Sequence, residues 1–531
     1  MNNYKITLNY ILLFLILSFL FSYPFIFIPF GNDQGIFAYI GNVINSGGTP
    51  YADAWDLKPP VIYYLYSAGL KIFGHSMMGL RFFDFLYFGI TLFSIYLLGA
   101  LLFNKRVGLC SGLILGILYF FTNDFWALSQ CESFMILPMI LSVYLSCLGI
   151  KNHSWPMLFG SGILLSVVFM TKLTGIVLFV PIVLYILFET YSQKGTWKIV
   201  HISSRILILI TGFFISTAIF FLWFYMRGAL SDFIYTLFVY DAAHFRSALN
   251  LNIEYPHLSF AGFMRRYLFL IIPALLSLLI KTNRRMRSAN VLLYCWAVAA
   301  IGAFFIQARY FHYHMLPVIA PLALLGSQGF LSLWSYSVLN KRVLFIKAKT
   351  LLISAIAFFL CIAIYPHVLL TYSFTKSFLH GTLATEFYGR FFTTRGGFSL
   401  STITEAAQYI KNNSAKENSI YVWGFQPLLY FLSERQAPTR FFISAPLIAP
   451  FNKKKNKWRE EVLADLKRKP PYYIIVAEDD ALTNTLMSGI NRDSRTILRE
   501  FKELLLFLEK HYLIEQNIDN LLLYRYIGKG K

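Results

Sequence analysis

Long apolar runs, separated by short polar breaks, fill the first 371 residues. They fall at 8–29, 78–103, 108–122, 131–150, 156–171, 173–190, 205–226, 264–280, 289–307, 314–336 and 350–371. An α-helix needs roughly 20 residues to cross a 30 Å hydrocarbon core, and the runs at 108–122 and 156–171 are the least sufficient. The pattern predicts an all-α polytopic membrane protein with about 11 transmembrane helices. Orientation follows from the loops. With Lys5 cytoplasmic, the basic loops holding Lys105–Arg106, Lys151, Lys194, Lys198, Arg205, Lys281, Arg284, Arg285, Arg287, Lys341, Arg342, Lys347 and Lys349 share that side, as the positive-inside rule requires. The opposite side then receives 31–77, 122–130, the Thr171–Lys172 turn, 228–262, 308–313 and everything after about 372.

Two outer segments carry patterns of their own. VIYYLYSAGLKIFG (61–74) is apolar but too short to span and follows Pro59–Pro60, which fits a helix lying in the interface. The 228–262 stretch, with Asp232, Asp241, His244, Arg246, Glu254 and His257, reads as a surface loop or as a second such helix over a lipid entrance. Beyond 372 the periodicity changes again. TITEAAQYIKN opens with a Thr402-x-x-Glu405 capping pattern. SIYVWG (419–424) and PYYIIVAE (471–478) read as strands, with helical QPLLYFLSE and WREEVLADLKRK between them. A helix near 496–511 leads into YLIEQN and LLLYRY. Strands alternating with helices predict a C-terminal soluble α/β domain. The division expected is 1–371 as the membrane domain, with outer loop 31–77, and 372–531 as the α/β domain outside the cytoplasm. That domain has no GxGxxG or GxxxxGK[ST] loop, so no nucleotide site is read in it.

Composition agrees. Of 531 residues 57% are hydrophobic and only 14% charged, against about 25% charged in soluble domains. A net charge of +21 would point to nucleic acid in a soluble chain. Here the excess sits in short loops between apolar runs, so topology accounts for it and no nucleic acid is expected. The five cysteines lie in or beside apolar runs, outside the polar C-terminal region, so no disulfide framework is expected there. One Lys precedes the first apolar run and no small-residue cleavage pattern follows it, which predicts a retained helix rather than a cleaved leader.

Chemistry concentrates in GNDQGIFAYIGNVINSGGTPYADAWDLKPP (31–60). Asp33, at the outer mouth of the first run, can take a proton from a hydroxyl or cap a short helix. Asp56 and Lys58 stand two apart before the Pro-Pro stop. Proline keeps its predecessor extended, so the two can project the same way. Lys58 then suits a phosphate and Asp56 a divalent metal or the lysine itself, unless they form only a local ion pair. Glu132, opening one span, and Lys172, at the turn between two others, are ionisable residues at span edges and are candidates on that ground. A helix N-terminal acid and a snorkelling lysine are their plain alternatives. Asp124 is a weaker candidate in a polar loop. In QARYFHYH (307–314) Arg309 suits a phosphate, and His312 a metal or phosphate, within an aromatic belt that includes Tyr310 and Tyr313. His312 and His314 at i, i+2 do not share a helix face, so one metal is not assigned to both.

With Asp33, Asp56-x-Lys58-Pro59-Pro60 and Arg309-Tyr310-x-His312-Tyr313-x-x-x-Pro317 in view, the chain resembles the GT-C-type membrane glycosyltransferases. It looks like a member of the superfamily of dolichyl-phosphate-mannose–protein mannosyltransferases, whose bacterial relatives include the lipid A aminoarabinose transferase. The resemblance covers roughly residues 8–335 and fits the C-terminal domain more loosely. It implies transfer of a sugar from a polyprenyl-phosphate donor to a lipid, glycan or protein hydroxyl on the non-cytoplasmic face of the inner (plasma) membrane. It implies Asp33 as base, Lys58 at the donor phosphate with Arg309 and His312 nearby, and Glu132 as a second acid. The chain departs from the family where many relatives carry Asp-Glu and it has Asp33-Gln34. It also has Leu57 where some relatives have an acid directly before the lysine, so a divalent metal is open. A protein O-mannosyltransferase is the narrower alternative. A transporter or lipid flippase is the alternative of another class, but transporters place charges near the midplane within repeats, and neither feature is read here.

Overall fold

The computed structural model describes residues 2–121, 127–191, 198–249, 256–278, 284–339, 343–382, 387, 398–478, 480 and 493–528. Asp124 and Glu254 lie outside the described residues. The chain divides into two compact units, each assembled from separate stretches of sequence.

The first unit, a helical bundle, comprises Met1–Ile28, Met78–Trp223 and Ile253–Thr371. In chain order the helices of the first 379 residues are α1 (Asn2–Ser22), α2 (Asn32–Asn45), α3 (Val61–Phe73), α4 (Met77–Leu102), α5 (Lys105–Phe121), α6 (Cys131–Lys151), α7 (Trp155–Thr171), α8 (Phe179–Tyr191), α9 (Lys198–Met226), α10 (Leu230–Ile234), α11 (Asp241–Leu249), α12 (Pro256–Ser277), α13 (Arg284–Gln307), α14 (Leu316–Leu339) and α15 (Val343–Leu379). A helix lies over every apolar run of the sequence. Among the described residues, 6 helical stretches are long and apolar enough to cross a membrane: Met77–Leu102, Cys131–Lys151, Leu173–Tyr191, Ile199–Met226, Met286–Gln307 and His312–Ser335. At 17 residues each, α5 and α7 reach about 26 Å, which is why the two shortest runs fall below that mark.

Small residues let bundle helices approach. Between α6 and α7 the Ser161 hydroxyl meets Ser142 Oγ at 2.9 Å and Ser146 Oγ at 2.7 Å. Where α7 crosses α9, a side chain on Gly162 would run into the Leu209 carbonyl, and one on Gly212 into that of Phe159.

The second unit comprises Pro29–Met77, Phe224–Asn252 and Tyr372–Lys531. Its sheet has the order β1-β2-β4-β3, from β1 (Ile420–Trp423), β2 (Tyr473–Ala477), β3 (Tyr512–Ile518) and β4 (Leu521–Tyr526). The first pair is parallel and the others antiparallel. Every residue of β1 and β2 is buried, β1 although it forms one edge of the sheet, while β3 at the other edge is exposed along its middle. The remaining helices are α16 (Leu400–Asn413), α17 (Leu428–Ser433), α18 (Ala445–Ile448), α19 (Lys455–Arg468), α20 (Ser494–Leu498) and α21 (Lys502–His511). α16 starts earlier than its sequence signal. Ser399 is the N-cap and accepts from Thr402 N, so Thr402 lies inside the first turn.

The first polar loop joins this unit through main-chain bonds as well as side chains. Ala437 N donates to Tyr39 Oη at 3.0 Å and Trp55 N to the Arg440 carbonyl at 2.9 Å. Trp55 Nε1 reaches Thr236 Oγ1 at 3.0 Å, and Arg227 Nε reaches Thr49 Oγ1 at 3.0 Å. The 224–249 stretch is helical rather than a plain loop, with α10, a π-helical turn over Tyr235–Tyr240 and α11. Helices α2 and α17 come together at Gly35, where a Cβ would lie 2.9 Å from Leu428 N and 3.0 Å from its Cα. Backbone cannot yield as a side-chain tip can. Gly35→Ala is therefore expected to cost about 1–3 kcal/mol, read as a lowered thermal midpoint of the purified chain; an unchanged midpoint would mean the approach is looser than described.

Candidate active site

Asp33 sits in the first turn of α2, behind Gly31 as N-cap. It is not the cap itself, so the capping alternative does not hold. The cap is completed by Gln34, fully buried, whose Oε1 accepts from Gly31 N at 3.0 Å. A glutamine in the position after Asp33 thus has a local purpose: it ties down the turn that carries the half-buried carboxylate.

Asp56 and Lys58 are held by tyrosines. Tyr63 Oη donates to Asp56 Oδ2 at 2.8 Å, and the Lys58 carbonyl accepts from Tyr51 Oη at 2.8 Å and Tyr63 Oη at 3.1 Å. Tyr51 is completely buried and adopts φ 71°, a left-handed conformation that an L residue keeps only where its surroundings over-determine it. Pro60 then starts α3, and Tyr63 on its first turn faces back to the loop. Asp56 is 3% exposed. Burial raises its pKa above the ordinary carboxylate value, opposed by the Lys58 charge, the Tyr63 hydrogen bond and the Leu57 amide, while the Asp33 charge raises it further. Asp33, Asp56 and Lys58 therefore form one electrostatic cluster.

That shift has a sign. A carboxyl whose folded pKa lies above its unfolded value contributes stability below the unfolded value of about 4. The contribution is lost as pH rises through the raised folded value. Asp56→Asn is expected to remove this loss, so its thermal midpoint gains on wild type as pH rises from about 4 toward 8. Parallel midpoint–pH curves would show that Asp56 is ionised at no extra cost.

The bundle holds a charged group of its own. Glu132, 2% exposed in the first turn of α6, forms an ion pair with Lys172, and His314 Nε2 lies 3.6 Å from the same oxygen. Lys172 is the C-cap of α7, at the break before the 3-10 turn Leu173–Leu178. The positive end of one helix dipole thus faces the acid and the negative end of another faces the lysine. The space beside the three side chains, reaching Met135, Gly175 and Pro317, is about 10 Å³, at the lower limit for one water.

Arg309 lies between two non-glycine residues in the left-handed region, Ala308 at φ 51° and Tyr310 at φ 52°. Tyr310 packs on Phe304 with centroids 5.5 Å apart. His312 opens the 3-10 turn His312–Met315 and is exposed; Tyr313 and His314 are buried in that turn. The structure thus brings His314, not His312, to Glu132. Sequence reasoning missed this pairing because it links residues 182 positions apart by number. It also missed a buried network in α4. Arg81 Nη1 donates to Ser129 Oγ at 2.7 Å, and Ser129 Oγ to Asp84 Oδ2 at 2.7 Å. Arg81 and Asp84, at i, i+3 in an apolar helix, were the signal that could have found it.

Among the described residues no group of three or more His, Cys, Asp and Glu is placed to hold a metal ion. The loop offers three carboxylates, Asp33, Asp53 and Asp56, of which Asp53 already accepts from Thr49 N and Asp56 from Tyr63.

Comparison with known proteins follows this geometry. Residues 57–223 match the family profile of dolichyl-phosphate-mannose-protein mannosyltransferase. Residues 403–507 match that of the putative competence-induced protein Ccs4 C-terminal domain. No curated protein sequence matches the chain. In fold it is similar to ArnT from Cupriavidus metallidurans bound to undecaprenyl phosphate, with TM-score 0.62, 14% identity and 97% of each chain covered. It is also similar to the oligosaccharyltransferase AglB from Archaeoglobus fulgidus in complex with an inhibitory peptide and a dolichol-phosphate, with TM-score 0.51 and 13% identity over 98% of this chain and 74% of that one. The chain is a multi-pass membrane protein with the fold of these structures, and its match to the mannosyltransferase profile is confined to residues 57–223.

Proposed function

We propose that this protein is a membrane glycosyltransferase that moves a sugar from a polyprenyl-phosphate donor to an acceptor hydroxyl, on the non-cytoplasmic face of the plasma membrane. The observation that carries this reading is the Asp33–Asp56–Lys58 cluster, held by Tyr51 and Tyr63 in a chain of GT-C fold. Solved relatives in fold hold undecaprenyl phosphate and dolichol-phosphate, which supports a polyprenyl-phosphate donor here. The loop orientation given by the positive-inside rule supports the side.

In the proposed step Asp33 takes the proton of the acceptor hydroxyl, whose oxygen attacks the anomeric carbon from the face opposite the phosphate. The carbon–oxygen bond to phosphate breaks, its electron pair leaves with the polyprenyl phosphate, and the anomeric centre inverts. Lys58 balances the charge that develops on the departing phosphate. Arg309 and His312 are assigned phosphate contacts in the bundle, with Tyr310 and Tyr313 shaping that turn. Glu132 is assigned a positioning role through Lys172 and His314. Asp56 orients Lys58.

Lys58→Ala is expected to weaken binding of undecaprenyl phosphate to the purified chain by about 10-fold or more, the worth of one charge-assisted hydrogen bond. Transfer from a panel of polyprenyl-phosphate sugars should fall in parallel. Undiminished phosphate binding would remove Lys58 from the donor site, and turnover with none of the donors, while donor lipids still bind, would favour lipid translocation.

A further inference from the structure

The second unit contains a polar cavity of about 380 Å³, lined by Asp53 of the loop, Thr439, and Glu461, Asp465 and Arg468 of α19. Its floor is the C-terminal half of α2, at Tyr39 and Val43. It is thus roughly 9–15 Å along that helix from Asp33. The volume falls in the range of ligand sites, 300–1,000 Å³.

The lining is built rather than incidental. Arg440 Nε and Nη2 grip the two Glu461 oxygens at 2.7 and 3.0 Å, and its Nη1 reaches Asp232 at 2.9 Å and the Tyr51 carbonyl at 3.1 Å. That clamp fixes Glu461 at the cavity edge. Asp465 pairs with Arg468 at 2.7 Å, and Asp53 accepts from Thr49 N at 2.7 Å. Thr439 is 5% exposed, and its hydroxyl finds no hydrogen-bond partner among the described residues. A buried hydroxyl left unsatisfied costs on the order of 1–3 kcal/mol, which a ligand can offset.

Charge narrows the ligand. Three carboxylates face two guanidinium groups, an acidic excess within a chain of net charge +21. An anion such as the donor phosphate is therefore disfavoured. Alternating carboxylates and guanidinium groups offer acceptors and donors side by side. Each sugar hydroxyl both donates and accepts, so vicinal hydroxyls match that lining. We propose that this cavity binds an uncharged oligosaccharide, as a subsite for the glycan part of the acceptor. The word acceptor rests on the transferase reading; carbohydrate binding does not.

The test uses the full chain in lipid nanodiscs, with saturation-transfer NMR and titration of maltotriose, mannotriose and cellotriose. Binding of at least one trisaccharide with a Kd of order 1 mM is expected. It should weaken about tenfold in Thr439→Val and in Arg468→Ala. Arg468 is 76% exposed, so its truncation leaves folding intact and keeps the test sound if Thr439→Val is unstable. Absence of binding by every trisaccharide, binding unchanged in both variants, or displacement of the sugar by inorganic phosphate would each overturn the proposal. Undecaprenyl phosphate binding is measured in the same preparations and should be unchanged by either variant. Loss of donor binding in the wild type with sugar binding retained would fell the transferase reading and leave this site standing.

Discussion

Asp33→Asn is expected to lower the transfer rate by about 10²–10⁴-fold, the usual contribution of a positioned general base, while the affinity for polyprenyl phosphate stays within about twofold. The argument is geometric first. Asp33 is fixed on the first turn of α2 by a cap that uses Gly31 and Gln34, and Asn preserves the size and turn of the residue. What Asn cannot do is take a proton. Asp56 is a poor substitute, because burial opposes its ionisation. The measurement is kcat and KM for transfer, with donor binding measured separately. A fall in donor affinity with kcat intact would recast Asp33 as a binding residue, and unchanged kinetics would sink it as base.

Much of this architecture is written locally in the chain. The apolar runs announce every bundle helix because a span of about 20 residues needs no partner to be visible. Strands β1 and β2 stand out because their β-branched and aromatic stretches are short and bounded by polar turns. The 31–60 stretch was legible as a site because acids, a lysine and a Pro-Pro stop are dense within thirty residues. What periodicity does not encode is who meets whom. Tyr63 reaching back to Asp56 and Lys58 is decided by the direction in which α3 leaves Pro60. The bonds from Tyr39 to Ala437 and from Trp55 to Arg440 tie residues almost four hundred positions apart. They make the first polar loop part of the same compact unit as the sheet. His312 is the histidine to which the resemblance points, and it stands exposed at the start of its turn. It is His314, two residues on and buried by the tight turn, that lies beside Glu132.

Lys172→Met is expected to destabilise the protein by about 3–5 kcal/mol, because it strands a buried carboxylate. Glu132 is 2% exposed, and the space beside it has room for about one water at most. Removing both charges in Glu132→Met/Lys172→Met is expected to restore most of the loss, since a buried pair seldom outweighs apolar groups of similar volume. The double-mutant cycle on thermal unfolding should then show a coupling of at least about 2 kcal/mol. Additive effects would mean the two side chains are separately solvated and that the helix ends at Cys131 and Thr171 are held by packing alone. Restored stability with transfer still lost would be the more informative result. It would separate the pair's contribution to the bundle from a contribution to catalysis, made by setting the Leu173–Leu178 turn and the His314 ring where the reaction needs them.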